Sequence, residues 1–381
     1  MKYTLLLSFL LSLSSIVFAQ QKADDALLLE YYQNQRFADA LDYLKKTYPE
    51  PITDPKTLSS LAYTSQMAGK LADAESYYQR IYEKDSSSVA LLFSLGNINL
   101  RRGNSAKAIV YYKKILLRDS TNFNVYKQLA TLAYNTGDFA ANINYLQKAN
   151  KLNPEDADVA TDLSTIYINL KVYPRADTII TKALIADTAN LLLLHQKAVI
   201  CYRTEKFTQT VDLCNKLVLG GNSPTDVIDM LGISYYMIKK YQDCINALST
   251  LEKGKTASET SYYYTAMSYK ALNDQGQAIL YFNKAINEAI SANVNSYYSE
   301  MGDSFEKLHQ LKKAVNAYQK SLLYDTKPVI TYYVLANLYD SELKNKSLAV
   351  KYYRKYIKTN PTEKQKNYLE YAKSRLKELS R

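Results

Sequence analysis

The sequence predicts an all-α solenoid, one continuous array of about ten helix–turn–helix repeats closed by a C-terminal capping helix. Three observations predict it. A position in the middle of an apolar helical run returns at Leu28, Ala62, Gly96, Ala130, Ser164, Ala198, Gly232, Ala266, Gly302 and Ala336; after the first it is always small, and the interval is 34 residues except for 36 between Ala266 and Gly302. A second small residue follows twelve positions later, at Ala40, Ala74, Ala108, Ala176, Ala278 and Ala314, with Asn142, Thr210 and Cys244 as variants. Only 10 Gly and 8 Pro are present, too few for the many turns of a multi-strand protein. A chain of 381 residues exceeds one ordinary core, and a solenoid escapes that limit because each repeat contacts only its neighbours.

Each repeat reads as two helices. The residue before the first small position is usually Leu, as at Leu61, Leu95, Leu129 and Leu231. Three residues after it an aromatic is common, as at Tyr167, Tyr235, Tyr269, Phe305 and Tyr339. Four residues after the second small position comes a bulkier apolar residue, such as Tyr78, Tyr112, Leu248, Phe282 or Tyr318. Spacing of three and four gives each helix one apolar stripe. The small residues let two backbones approach, and the larger ones fill the space beside them. Within repeats, Gly69, Gly103 and Gly137 mark turns that a left-handed residue can close. Between repeats, Asp85-Ser86, Asp119-Ser120, Asn153-Pro154, Asp187-Thr188 and Asn360-Pro361 are expected to stop one helix and cap the next. Asn142, Thr210 and Lys197 occupy core slots and predict looser or shifted repeats. In the last repeat Ala349 comes thirteen residues after Ala336, which places one inserted residue near Lys344-Asn345.

The two ends differ from the array. Lys2, the apolar stretch Leu5 to Phe18 and the small residue Ala19 predict a signal peptide over residues 1–19, with an uncleaved membrane anchor as the alternative. Cleavage would leave a soluble exported protein, periplasmic if the source is a bacterium. The repeat array then covers residues 20–361, and residues 362–381 form a basic capping helix with Leu369, Ala372, Leu376 and Leu379 on its apolar face. The net charge of +11 is concentrated at this end: Lys344 to Arg381 carries twelve Lys and Arg against Glu363, Glu370 and Glu378. Such an end reads as a solvated cap, or as a dock for an acidic partner or an anionic membrane surface. Nucleic acid is disfavoured by export.

The period and the pattern Leu-Gly/Ala-x-x-Tyr … Ala-x-x-x-Phe/Tyr resemble the tetratricopeptide repeat family. Leu231-Gly232-Ile233-Ser234-Tyr235 carries the first part and Ala278-Ile279-Leu280-Tyr281-Phe282 the second. The slot that holds Trp in the family holds Tyr126, Tyr262, Tyr298 and Tyr332 here. The resemblance spans about residues 24 to 361. It implies a right-handed superhelix in which the first helix of each pair lines a concave groove. Groove residues would then include Phe93, Asn97, Arg101, Lys127, Thr131, Tyr134, Asn135, Thr165, Asn169, His195, Tyr202, Arg203, Asp229, Tyr236, Tyr263, Met267 and Lys270. That mixture of Tyr, Asn, Arg and Met suits adaptable contacts with a protein or peptide.

Chemistry has little to stand on. His195 and His309 lie in different repeats, no Cys pair has ligand spacing, and Gly occurs mostly singly in turns rather than in a phosphate-binding run. No serine sits in a nucleophile elbow. The expectation is therefore a non-catalytic adaptor of the cell envelope, with no metal, cofactor or small-molecule substrate. A structural subunit of a larger envelope or secretion complex, docking through its outer face or basic end, is the alternative. Cys201 and Cys214 fall in core slots of one repeat, as buried thiols or, given export, as a disulfide; Cys244 fills a small-residue slot.

Overall fold

The computed structural model describes residues 23–221, 223–289, 293–324 and 329–380; the expected signal peptide lies outside them. Among the described residues the regular elements are helices and no strand occurs, and no helix is long and apolar enough to cross a membrane. Two compact units divide the chain at Val159/Ala160. Unit one stacks four helical hairpins: α1 (Asp25–Gln33) with α2 (Phe37–Thr47), α3 (Pro55–Met67) with α4 (Leu71–Lys84), α5 (Val89–Arg101) with α6 (Ser105–Leu116), and α7 (Phe123–Asn135) with α8 (Phe139–Leu152). α9 (Ala157–Asn169) runs across the boundary residue, and α10 (Tyr173–Ala186) follows. Unit two continues with α11 (Leu191–Arg203) and α12 (Phe207–Leu219), α13 (Thr225–Met237) and α14 (Tyr241–Lys253), α15 (Glu259–Ala271) and α16 (Gln275–Glu288), and α17 (Val294–Lys307) and α18 (Leu311–Tyr324). It ends with α19 (Val329–Asn337), α20 (Lys346–Lys358) and α21 (Lys366–Leu379).

The helix starts obey the 34-residue register, but three residues later than the sequence suggested. Asp54, Ser88, Asn122, Asp156 and Asn190 each accept a hydrogen bond from the backbone N–H three residues on. Asp85, Asn153 and Asp187 do stop the preceding helix, as expected, but they and Asp119 accept from the N–H two residues ahead, which closes the connecting turn rather than capping the next helix. Short polar side chains at both places look alike in sequence, and only the direction of the backbone separates their roles.

The turn inside each hairpin is equally regular. Gly69, Gly103 and Gly137 take φ near +75 to +79°, and Gln35, Lys171, Glu205, Lys239, Asn273, His309 and Lys344 take the same left-handed conformation at φ from 50 to 65°. These ten positions lie seven residues past each first small position, eight in the last repeat. His309 is thus a turn residue. Left-handed backbone strains a residue with a Cβ by about 1 kcal/mol, partly offset because Gly has more freedom to lose on folding. Changing Lys171, Glu205 and Lys239 together to Gly should therefore raise stability by about 1 to 2 kcal/mol. A urea midpoint that fell would show that these side chains hold their turns by contacts instead.

Packing follows the small residues. Ala62, Ala74, Ala108, Ala198, Ala266 and Ala278 are completely buried. At Gly96 the Tyr112 ring of the second helix lies where a Cβ would stand, 2.7 Å away; at Gly232 it is Leu248 at 2.5 Å, and at Gly302 Tyr318 at 2.8 Å. The polar variants do not shift the register. Asn142 Nδ2 donates to the Ala130 carbonyl across the hairpin at 2.9 Å, Thr210 Oγ1 donates to the Lys206 carbonyl at 3.1 Å, and Lys197 Nζ bonds Asp177 Oδ1 at 2.5 Å. Asn142 and Thr210, both buried, each find a partner nearby, so the core slot tolerates them, whereas Lys197 is half-buried and reaches out of its slot to Asp177.

The inserted residue of the last repeat is absorbed upstream of the expected place. α19 ends in a π turn, Leu338–Glu342, in which the Leu343 N–H bonds the Leu338 carbonyl at 3.0 Å. The capping helix α21 buries Ala372 and lays Leu369, Leu376 and Leu379 on the cluster of Ala336, Tyr353 and Tyr356. Arg375 grips Asp340 with two bonds of 2.8 Å, and this guanidinium holds the Asp340 carboxyl below the usual carboxylate range.

Candidate functional site

The residues expected on the inner wall sit on the first helix of each hairpin, and their surroundings differ between the units. In unit one, Asn97 accepts a 2.6 Å bond from the Tyr112 hydroxyl and Phe93 packs edge-on to the same ring. Both support the hairpin as much as they face outward. Lys127 reaches the next repeat, bonding Asp156 at 3.1 Å and Asp158 at 2.8 Å. Burial pushes its ammonium pKa down, but bonds to Asp158 and Asp156 outweigh that and hold it above the ordinary lysine value. Thr131 bonds the Lys127 carbonyl, Tyr134 meets Phe139 at the hairpin end, and Arg101 and Asn135 are exposed at helix C-termini.

In unit two the expected Tyr236 and Tyr263 come together through Tyr264, with Tyr297 beyond, two rings outside the expected set. Tyr236 and Tyr264 rings lie 5.2 Å apart, Tyr263 and Tyr264 5.3 Å, and Tyr263 and Tyr297 5.0 Å. These rings come from α13, α15 and α17, one hairpin after another. Tyr202 on α11 precedes them; burial raises its phenol, with Tyr264, Arg203 and Asp229 close enough to act on it. Burial likewise raises Tyr236 and Tyr263, with Glu300 adding to both. Met267 packs beneath, against the Phe282 cluster.

Of the cations expected there, Lys270 is already engaged and Arg203 is exposed. Lys270, 14% exposed, bonds Glu300 at 2.5 Å and Asp303 at 2.6 Å. Burial pushes it down, and its bonds to Asp303 and Glu300 reverse the sign and hold it above the ordinary value. Asp303 answers in kind: burial pushes it up, and Lys270 and Lys307 pull it below the carboxylate range. His195 Nε2 lies 2.7 Å from Asp226. Asp229 accepts from Ser261 Oγ at 2.7 Å and is raised by burial, and Glu306, bonded by Tyr318, is raised by burial too. Thr165 meets Gln196 of the next repeat at 3.2 Å, while Asn169 and Arg203 are exposed. This face of unit two is therefore a tyrosine row whose buried lysine, Lys270, is paired with carboxylates about one repeat away.

Sequence reasoning missed the carboxylate side of this wall. Glu300, Asp303 and Glu306 recur at three-residue spacing on α17, a signal that was legible. It also missed a second ladder on the other helices. Lys148, Lys284, Lys320 and Lys355 lie 5.3 to 5.8 Å from the rings of Tyr126, Tyr262, Tyr298 and Tyr332, which fill the family's Trp slot. Each of these lysines stands six residues after the second small position. The bridge allowed between Cys201 and Cys214 is not formed: all three cysteines are buried free thiols. Burial pushes the Cys214 thiol up to about 12, so the thiolate that would attack a disulfide is scarce, and Cys201 Sγ is turned to Gln209 Oε1 at 3.6 Å.

Comparison with known proteins agrees with this repeat. Family models described as tetratricopeptide repeat match residues 66–123, 260–289 and 330–363. No curated protein sequence matches the chain. Similar solved structures include a tetratricopeptide repeat protein from Parabacteroides merdae, at 19% identity and TM-score 0.42, covering 64% of this chain and 96% of that one. Another is the C-terminal part of a TPR repeat-containing protein from Cytophaga hutchinsonii, at 18% identity and TM-score 0.46, covering 72% of this chain and 99% of that one. Three separate segments of the chain thus match tetratricopeptide repeat models in the register read from the sequence, which supports a protein of the tetratricopeptide repeat family.

Proposed function

We propose that unit two holds an extended segment of another protein along the first-helix face that carries Tyr202, Tyr236, Tyr263 and Tyr264. In general terms the chain is a protein–protein interaction scaffold. The observation that carries the finer reading is the tyrosine row itself, ring against ring across successive hairpins. Tyrosine offers a large contact area and a polar tip at little entropic cost, which is what an adaptable binding wall needs. Asp229 and Glu306, bonded by hydroxyls rather than by cations, favour a segment bearing Lys or Arg. A role in the cell envelope rests on the apolar leader alone, and a mature chain that begins at Gln20 by mass would support it.

A photo-crosslinking residue placed at Tyr236 should capture the partner, and one at exposed Lys351 on α20 should not. Tyr236→Ser should weaken that partner's affinity by about thirtyfold, the loss of one central aromatic anchor. Crosslinks formed from Lys351 with none from Tyr236 would sink the reading and favour the outer face.

A further inference from the structure

The positive end of the chain reaches further back than the sequence count places it. α21 carries Glu370 and Glu378, its Arg375 is held by Asp340 and Glu378, and Lys366 is paired with Glu363. Besides Lys364, Lys373 and Lys377 of this end, uncompensated charge lies on α20 and also on α18, one repeat earlier and outside the basic stretch. α18 bears Lys312, Lys313 and Lys320, and α20 bears Lys346, Lys351, Arg354, Lys355 and Lys358; neither helix has a single Asp or Glu. All eight side chains are exposed, and none makes an ion pair among the described residues. The two helices are neighbours in one apolar cluster, joined by a 3.3 Å bond from Gln319 to the Tyr352 hydroxyl. Together they make a continuous cationic plate.

Two further features select what the plate meets. Leu323 and Tyr324, 82% and 60% exposed, fall by helical spacing on the same face of α18 as Lys312, Lys313 and Lys320. Beside them, the three lysines rim a cleft of about 340 Å³ floored by Met301 and Phe305. Second, seven of the eight cations are Lys. Lysine acts as a flexible point charge, whereas fixed recognition of a protein carboxylate favours the bidentate fork of Arg. Point charges mixed with an exposed Leu and Tyr match a fluid anionic surface, with headgroups at the ammonium groups and the apolar pair entering the boundary. We propose that the outer face of α18 and α20 docks on a membrane rich in anionic lipid. This is independent of the tyrosine wall.

The test uses the full chain and vesicles of phosphatidylcholine with or without phosphatidylglycerol. The readout is the difference between the two lipids, so that any contribution of Leu5 to Phe18 cancels. Binding should need phosphatidylglycerol and weaken steeply with salt. Lys312→Gln, Lys320→Gln, Lys351→Gln and Lys358→Gln combined should cost at least about a hundredfold, with the circular dichroism and melting curve unchanged. Leu323→Ser should weaken binding several-fold without changing charge. Equal binding to both vesicles, or an undiminished preference in the quadruple variant, would overturn the proposal. So would tight binding to soluble polyglutamate with none to vesicles, since that would make the plate a site for acidic protein.

Discussion

Replacing Gly232 by Val is expected to destabilise unit two by about 3 kcal/mol, and trimming the residue opposite is expected to recover part of the loss. The reason is the notch. A Cβ at this position stands 2.5 Å from both Cγ and Cδ2 of Leu248, well inside contact distance. Leu248 is itself buried in a cluster with Ile228, Cys244 and Leu251, so it has nowhere to go. Valine adds two methyl groups to that collision; its better helix propensity recovers less than about 1 kcal/mol. Leu248→Ala alone should cost about 3 kcal/mol through lost burial and the cavity left behind. The two changes together should cost at least about 1 kcal/mol less than their sum, because the methyl groups move into the vacated volume. Urea unfolding of the wild type, both single variants and the double variant measures the coupling. Strict additivity would show that the two side chains do not meet.

Phe282→Ala is expected to cost about 4 kcal/mol, the upper range for a large buried side chain. Phe282, on α16, is fully buried in a cluster with Ala266, Ala278, Met301 and Ala317, which joins its helix to α15, α17 and α18. Removing its ring opens a hole at the junction of two hairpins, lined by alanines too short to fill it. Phe282→Leu keeps most of the volume and should cost under about 1.5 kcal/mol. A thermal midpoint that barely moved in the alanine variant would mean that this junction is loose.

Much of the fold was legible because the feature that sets it is periodic. Small residues at fixed spacing state where two helices must touch, and the alanine and glycine notches lie buried as that logic requires. The turns were half legible: three glycines announced them, while Lys171, Glu205 and Lys239 take the same left-handed backbone without any sequence sign of it. The site was less legible. Lys127 and Lys270 read as open cations on an inner wall, yet their partners lie about thirty residues ahead in the next repeat. Pairing across repeats depends on side-chain reach between helices, which a position count along one helix does not contain. The same applies to the charge at the C-terminal end, where Arg375 and Lys366 are neutralised and the lysines of α18 and α20 are not.

All of these expectations rest on hairpins that each touch only their immediate neighbours. Residue-resolved amide hydrogen exchange in the wild type and in Phe282→Ala tests this directly. Nearest-neighbour stacking predicts protection lost over α15 to α18 while the amides of α3 to α6 exchange at their wild-type rates. A uniform fall in protection along the whole chain would contradict it.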